Sequence, residues 1–156
     1  MAKVLFVCLG NICRSPMAEA VFRHKVAEAG LAGRIEIDSA GTGDWHTGEP
    51  PHEGTRTILR QNQIDYSGMR ARQVRQSDFH EHRYIITMDA SNTKNVMKWA
   101  PGSHDAEVRQ LLDFIPERRG EDVPDPYYTG NFQEVYEMVD EACGLLLAYI
   151  RTKEDM

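Results

Sequence analysis

The sequence predicts an α/β fold with a parallel sheet, in a single domain spanning residues 1–156. Three observations carry this. Short apolar runs without alternation, such as Val4-Leu5-Phe6-Val7 and Tyr84-Ile85-Ile86-Thr87-Met88, suit strands covered on both faces. Segments with apolar residues every three or four positions lie between and after them. Strands and helices alternate along the chain, with no internal repeat, low-complexity tract or linker. A chain of 156 residues has the size of one domain and is long enough to bury a core.

Val4–Val7 reads as the first strand. The loop Cys8-Leu9-Gly10-Asn11-Ile12-Cys13-Arg14-Ser15 follows, and a helix opens near Ser15-Pro16. Proline suits a first helical turn because its missing N–H would be unpaired there anyway. Ala18, Phe22, Val26 and Ala29 form the buried stripe of that helix, and Gly30 ends it. Residues 34–40 read as a second strand. The glycine- and proline-rich stretch from Gly41 to Pro51 is a loop carrying Trp45 and His46. Glu53 to Gln63 reads as a helix with Ile58 and Leu59 inward. Tyr84–Met88 is the third strand, Ser91 to Trp99 a helix, and Val108 to Leu112 the fourth strand. The acidic stretch 117–125 is loop. In the last helix Phe132, Val135, Val139, Cys143, Leu146 and Ile150 step by three and four, with Asn131 and Glu134 as its N-terminal cap.

Composition excludes several classes. A chain 41% hydrophobic and 27% charged is neither disordered nor collagenous. A formal net charge of −6 argues against a general nucleic-acid or membrane-surface binder. Basic and acidic side chains balance over residues 1–82, so the first half is the better place to seat an anion. No stretch approaches the ~20 apolar residues of a membrane span. Three cysteines, Cys8, Cys13 and Cys143, do not make a disulfide framework, and the expected home is a reducing cytoplasm. Lys3 with Val4–Val7 and a later Ala18-Glu19-Ala20 imitates a signal peptide. The apolar run ends at Gly10, however, and Asn11 and Arg14 interrupt it.

Ligands of open parallel sheets bind beyond the carboxyl ends of the strands. The first such turn holds Cys8 and Arg14, and that spacing alone is weak. Its setting strengthens it, since the cysteine ends a buried strand and the arginine starts a helix. Gly10 and Asn11 tolerate left-handed backbone. This pattern fits the grip of a phosphate. Successive loop N–H groups of Leu9, Gly10, Asn11, Ile12 and Cys13 form a concavity for an anion, with the helix N-terminus behind it. Arg14 adds a planar clamp on two oxygens. The same donors stabilise a thiolate at Cys8, and Ser15 is placed to hydrogen-bond it. No Gly-Lys-Ser/Thr ending makes it a nucleotide loop.

The run from Val4 to Glu19 resembles the signature of the low-molecular-weight protein tyrosine phosphatases. The resemblance continues at Asp38-Ser39-Ala40-Gly41-Thr42, Ala71-Arg72-Gln73, Met88-Asp89 with Ser91-Asn92, and Val123-Pro124-Asp125-Pro126-Tyr127. It covers nearly the whole chain in the family's order. It implies a four-stranded parallel sheet with helices on both faces and a phosphate-binding loop after the first strand. It also implies hydrolysis of phosphotyrosine through a cysteinyl-phosphate, with no metal and no other cofactor. Cys8 matches the nucleophile, Arg14 the phosphate-binding arginine, and Asp125 the general acid and base. Ser15 matches the hydroxyl beside the thiolate, Asn11 the residue that holds the cradle open, and Ser39 one of its supports. Many members carry a histidine two residues before the Ala-Arg pair. This chain has Met69 there, so the bracing of Asn11 must differ.

Loss of a tyrosine phenolate, whose conjugate acid has a pKa of ~10, benefits from a proton near neutral pH. Asp125, between Pro124 and Pro126, sits on a stiff loop suited to supply it. Trp45, Tyr127 and Tyr128 either wall a phenyl ring or simply pack. Ile12 narrows the pocket floor. A related branch directed at phosphoarginine tends to have threonine there, so Ile12 favours phosphotyrosine over an arginine phosphatase. A thioredoxin-coupled arsenate reductase of the same fold needs a mobile resolving cysteine, and only Cys143, in mid-helix, is available. Cys13 is either a buried filler or, as the resemblance implies, the partner in a reversible Cys8–Cys13 disulfide. Arg70, Arg72 and Arg75 either guide an anionic substrate or form a solvated face. The expected partners are tyrosine-phosphorylated proteins and inorganic phosphate or a similar oxyanion, with the chain a monomer.

Overall fold

The computed structural model describes residues 1–156. Four strands, β1 (Ala2–Cys8), β2 (Ile35–Gly41), β3 (Tyr84–Thr87) and β4 (Glu107–Gln110), form one sheet in the order β2-β1-β3-β4. Every pairing is parallel. Val4 lies opposite Ile37 on one side and Tyr84 on the other, and Tyr84 lies opposite Glu107.

The central strand β1 feeds two cores, because successive side chains of a strand point to opposite faces. Val4, Phe6 and Cys8 enter the larger core, with α1 (Arg14–Glu28), α2 (Glu53–Gln61) and α6 (Phe132–Lys153). Leu5 and Val7 enter a smaller one with Val74, Phe79, Ile85 and Val96. Phe79 belongs to α3 (Asp78–Glu81) and Val96 to α4 (Ala90–Val96), so helices cover both faces. Phe22 of α1 meets Phe6 edge-on at 5.6 Å, and both are fully buried. On α6 the stripe Val135, Val139, Cys143, Leu146 and Ile150 is wholly buried. Asn131 Oδ1 accepts the Glu134 N–H at 3.2 Å, while its amide donates to the Glu134 carboxylate at 2.6 Å. No helix is long and apolar enough to cross a membrane.

The sequence reading differs from the structure in several places. The fourth strand is Glu107–Gln110 rather than Val108 to Leu112. Leu111 and Leu112 both enter the larger core, whereas a strand would send them to opposite faces, and the chain turns there into a 3₁₀ segment, Leu111–Phe114. The helix after β3 is α-helical only to Val96 and ends in a 3₁₀ turn, Met97–Trp99. A further 3₁₀ turn, Pro116–Arg118, lies at the acidic stretch. Two one-turn helices, α3 and α5 (Pro126–Thr129), are too short to show a periodicity.

Truncating Phe22 removes half of the aromatic contact that joins α1 to β1. Phe22→Ala is expected to cost about 3–5 kcal/mol of stability, read from urea unfolding. A loss below about 1 kcal/mol would show that α1 is held by other contacts.

Candidate active site

The chain must turn between the end of β1 at Cys8 and the start of α1 at Arg14. Asn11 makes the turn with φ +57°, a left-handed conformation that asparagine tolerates better than most residues. Gly10 does not use the left-handed backbone it tolerates, and a Cβ there would lie 3.0 Å from the His46 ring, a tight approach. Gly41 is constrained more tightly, since its Cβ would sit 2.8 Å from the Leu9 carbonyl.

The loop is pinned from outside through its carbonyls. Thr42 and Gly43 N–H groups donate to the Cys8 and Leu9 carbonyls, each at 2.9 Å. The His52 N–H reaches the Ile12 carbonyl at 2.7 Å, and the Thr55 hydroxyl donates to the Cys13 carbonyl at 3.1 Å. The loop N–H groups from Leu9 to Cys13 have no acceptor in the protein. Such a set of free donors at a helix N-terminus suits an oxyanion.

Cys8, Leu9, Gly10, Ile12 and Cys13 line one side of a cleft of about 200 Å³. Arg14 and Asp125 complete its polar lining, and Trp45, Tyr127 and Tyr128 stand at the same cleft. The exposures of these aromatics, 69%, 52% and 76%, remove them from the core. His46, to which the sequence assigned nothing, joins them and pairs with Glu49 at 2.6 Å. Asn11, Ser15 and Ser39 do not line the cleft. They lie buried beneath it because their side chains bond one another. Asn11 and Ser15, expected among the substrate-contacting residues, thus turn their side chains beneath the cleft, while the Asn11 backbone N–H stays among the free loop donors.

Cys8 Sγ lies 3.0 Å from Ser15 Oγ. The Asn11 amide donates to Ser15 Oγ at 2.8 Å and to Ser39 Oγ at 3.0 Å, and its carbonyl accepts the Arg72 N–H at 3.0 Å. Met69 packs into the core and takes no part. The Arg72 backbone and the two serines thus brace Asn11 without a histidine.

Arg14 is buried at its base and aimed from behind. Its Nη1 donates to Asp89 Oδ2 at 2.7 Å and to the Val123 carbonyl at 2.9 Å. Its Nη2 lies 3.5 Å from Asp125 Oδ2. Burial opposes its charge, but a Cys8 thiolate and the Asp89 carboxylate outweigh burial and hold the guanidinium above its usual range. Asp89 also caps α4, accepting the Asn92 N–H at 2.7 Å. Asp125 caps α5 through its other oxygen, taking the Tyr127 N–H at 3.1 Å, so its carboxylate is fixed by more than the flanking prolines.

Burial, reinforced by Cys8 and Asp125, pushes the Cys13 thiol up to about 12, so it stays protonated near neutral pH. Cys143 is sealed between α1 and α6, with its thiol pushed up by burial. It is far from the mobile resolving cysteine that a reductase needs. Arg72 is not free to guide a substrate, because its guanidinium bonds both Asp38 and Asp78. Arg70 and Arg75 are exposed.

The family model for low molecular weight phosphotyrosine protein phosphatases matches residues 3–156. The low molecular weight protein-tyrosine-phosphatase YfkJ of Bacillus subtilis is 51% identical over 156 residues, covering 100% of both chains. Its crystal structure superposes with a TM-score of 0.94, at 52% identity over 98% of this chain and 96% of that one. The low molecular weight protein tyrosine phosphatase of Streptococcus pyogenes gives a TM-score of 0.85 at 39% identity, covering 99% and 96%. The drosophila arginine phosphatase gives 0.87 at 32% identity, covering 96% and 98%.

Asp89→Asn keeps a cap for α4 but removes the charge that aims Arg14. It is expected to weaken binding of inorganic phosphate or vanadate by about tenfold in a direct titration. Unchanged affinity would mean that the Val123 carbonyl alone orients the guanidinium.

Proposed function

Because the chain belongs to the low-molecular-weight phosphotyrosine protein phosphatases, we propose that it hydrolyses phosphotyrosine in proteins through a phosphocysteine at Cys8. The observation that carries this reading is the meeting of Cys8, Arg14 and Asp125 in one cleft, over a loop whose N–H groups are unspent. The dianion is held by those N–H groups and by the edge of Arg14 not engaged with Asp89. Catalysis of phosphoryl transfer is mostly such positioning and charge stabilisation.

In the first step the Cys8 sulfur attacks phosphorus and the ester P–O bond breaks. Asp125 gives its proton to the departing phenolate oxygen. In the second step water attacks the phosphocysteine and Asp125 takes its proton, which releases phosphate and restores the thiolate. Asp125 Oδ2 lies 3.5 Å from Arg14 Nη2, so a phosphate competes with it for the same guanidinium.

Trp45 on the loop after β2 and Tyr127 and Tyr128 on α5 form an aromatic gap for a phenyl ring. Ile12 at the same cleft favours that ring over a guanidinium. The likeness to an arginine phosphatase makes phosphoarginine the substrate to test against. The three unpaired thiols suit the cytoplasm. A Cys8–Cys13 disulfide remains part of this reading, with its formation slowed by the protonated Cys13.

Cys8→Ser is expected to abolish aryl phosphate hydrolysis, and retained turnover would overturn the mechanism. Asp125→Ala should slow phosphotyrosine by about 10²–10⁴-fold and a substrate with an acidic phenol far less. Equal slowing of both would remove the acid role. On one preparation, phosphotyrosine peptides should be hydrolysed faster than phosphoarginine or phosphoserine peptides. Preference for phosphoarginine would reverse the assignment of substrate.

A further inference from the structure

Glu19 is a carboxylate on the second turn of α1, only 6% exposed, facing away from the cleft. Its Oε1 accepts the Ser39 hydroxyl at 2.6 Å, and its Oε2 pairs with Arg23, which also donates to the Ile37 carbonyl. Burying an ionised carboxylate this deeply is unfavourable unless its partners need it.

The hydrogens of the network can be assigned from donor and acceptor chemistry alone. The Arg72 backbone N–H can only donate, so the Asn11 atom facing it is the carbonyl oxygen. The Asn11 NH₂ therefore faces the two serines, and both of its hydrogens are spent on their oxygens. Ser39 accepts from Asn11 and sends its own hydrogen to Glu19, which has none to offer. Ser15 accepts from Asn11 in the same way, and opposite a Cys8 thiolate, which can only accept, its own hydrogen goes to Cys8 Sγ, 3.0 Å away. If Ser39 lost its acceptor, its hydroxyl would be free to turn. The alternative orientation of the Asn11 amide would then face one penalty fewer, and in that orientation Ser15 donates to Asn11 rather than to sulfur.

We infer that Glu19 is a positioning residue for Cys8, acting through Ser39, Asn11 and Ser15 to fix the direction in which a hydrogen bond is donated to the sulfur. The inference rests on the reading of Cys8 as nucleophile, and it specifies which buried group keeps that nucleophile an acceptor. Glu19 itself touches neither the loop N–H groups nor Arg14 and reaches Asn11 only through Ser39, so its loss should change oxyanion binding less than thiolate reactivity.

The test uses the full chain with Glu19→Ala, Ser39→Ala and the double variant. Arg23 is half exposed and can turn to water when Glu19 is removed, which favours a folded product. Carboxamidomethylation of Cys8 by iodoacetamide, followed by mass spectrometry at mildly acidic pH, reads thiolate reactivity without turnover. Each single variant should react about tenfold more slowly, the worth of one hydrogen bond to a charged group. The double variant should be no slower than the singles. For an aryl phosphate, kcat should fall while KM stays within about twofold. Phe22→Ala, destabilised by an unrelated route, should keep the wild-type alkylation rate. A wild-type rate in Glu19→Ala, or single effects that multiply in the double variant, would overturn the inference. A fall in Phe22→Ala equal to that in Glu19→Ala would do the same, by reducing Glu19 to a stability effect. Retained turnover in Cys8→Ser would instead overturn the underlying mechanism, so the two failures are distinguishable.

Discussion

The site depends on one side-chain amide. Asn11 sits in a left-handed conformation that costs free energy for any residue but glycine, and three hydrogen bonds from its side chain offset that cost. Those bonds run to α1, to β2 and to the segment after Gly68. The turn between β1 and α1 is thereby fastened to three separate parts of the chain. Without that fastening the loop has no reason to keep its carbonyls outward and its N–H groups free.

Arg14 is placed by a similar logic applied to charge. A guanidinium at a helix start is repelled by the dipole of its own helix and by burial. Asp89, the cap of α4, and the Val123 carbonyl supply the compensation, and they also fix the plane of the fork. The anion grip is therefore a local arrangement of dipoles and one cation, to which the net charge of −6 is nearly irrelevant.

The sequence reading carries the strands and long helices because each leaves a pattern longer than one turn. The buried run of β1 and the stripe of α6 are legible for that reason. The one-turn helices α3 and α5 leave none, and the edge strand β4 is displaced because Leu111 and Leu112 share a core. At the site, Cys8, Arg14 and Asp125 are legible from the motif and its resemblance. Asp89 and Glu19 carry no role until the chain is folded. The partners that give them their roles, Arg14 and Ser39, are 75 and 20 residues away, and nothing local distinguishes Asp89 and Glu19 from surface acids. Arg72 illustrates the converse, since a cluster of arginines looks available in sequence while this one is spent on Asp38 and Asp78.

The outward-pinned carbonyls of the loop bear on the thermodynamics of ligand capture. Thr42, Gly43, His52 and Thr55 hold the loop through its carbonyls, by bonds that do not involve the N–H groups facing the cleft. Little conformational entropy is then left to lose when a phosphate arrives. The reorganisation term is settled during folding, so the affinity for tetrahedral oxyanions should follow the hydration of the ion more than any ordering of the protein.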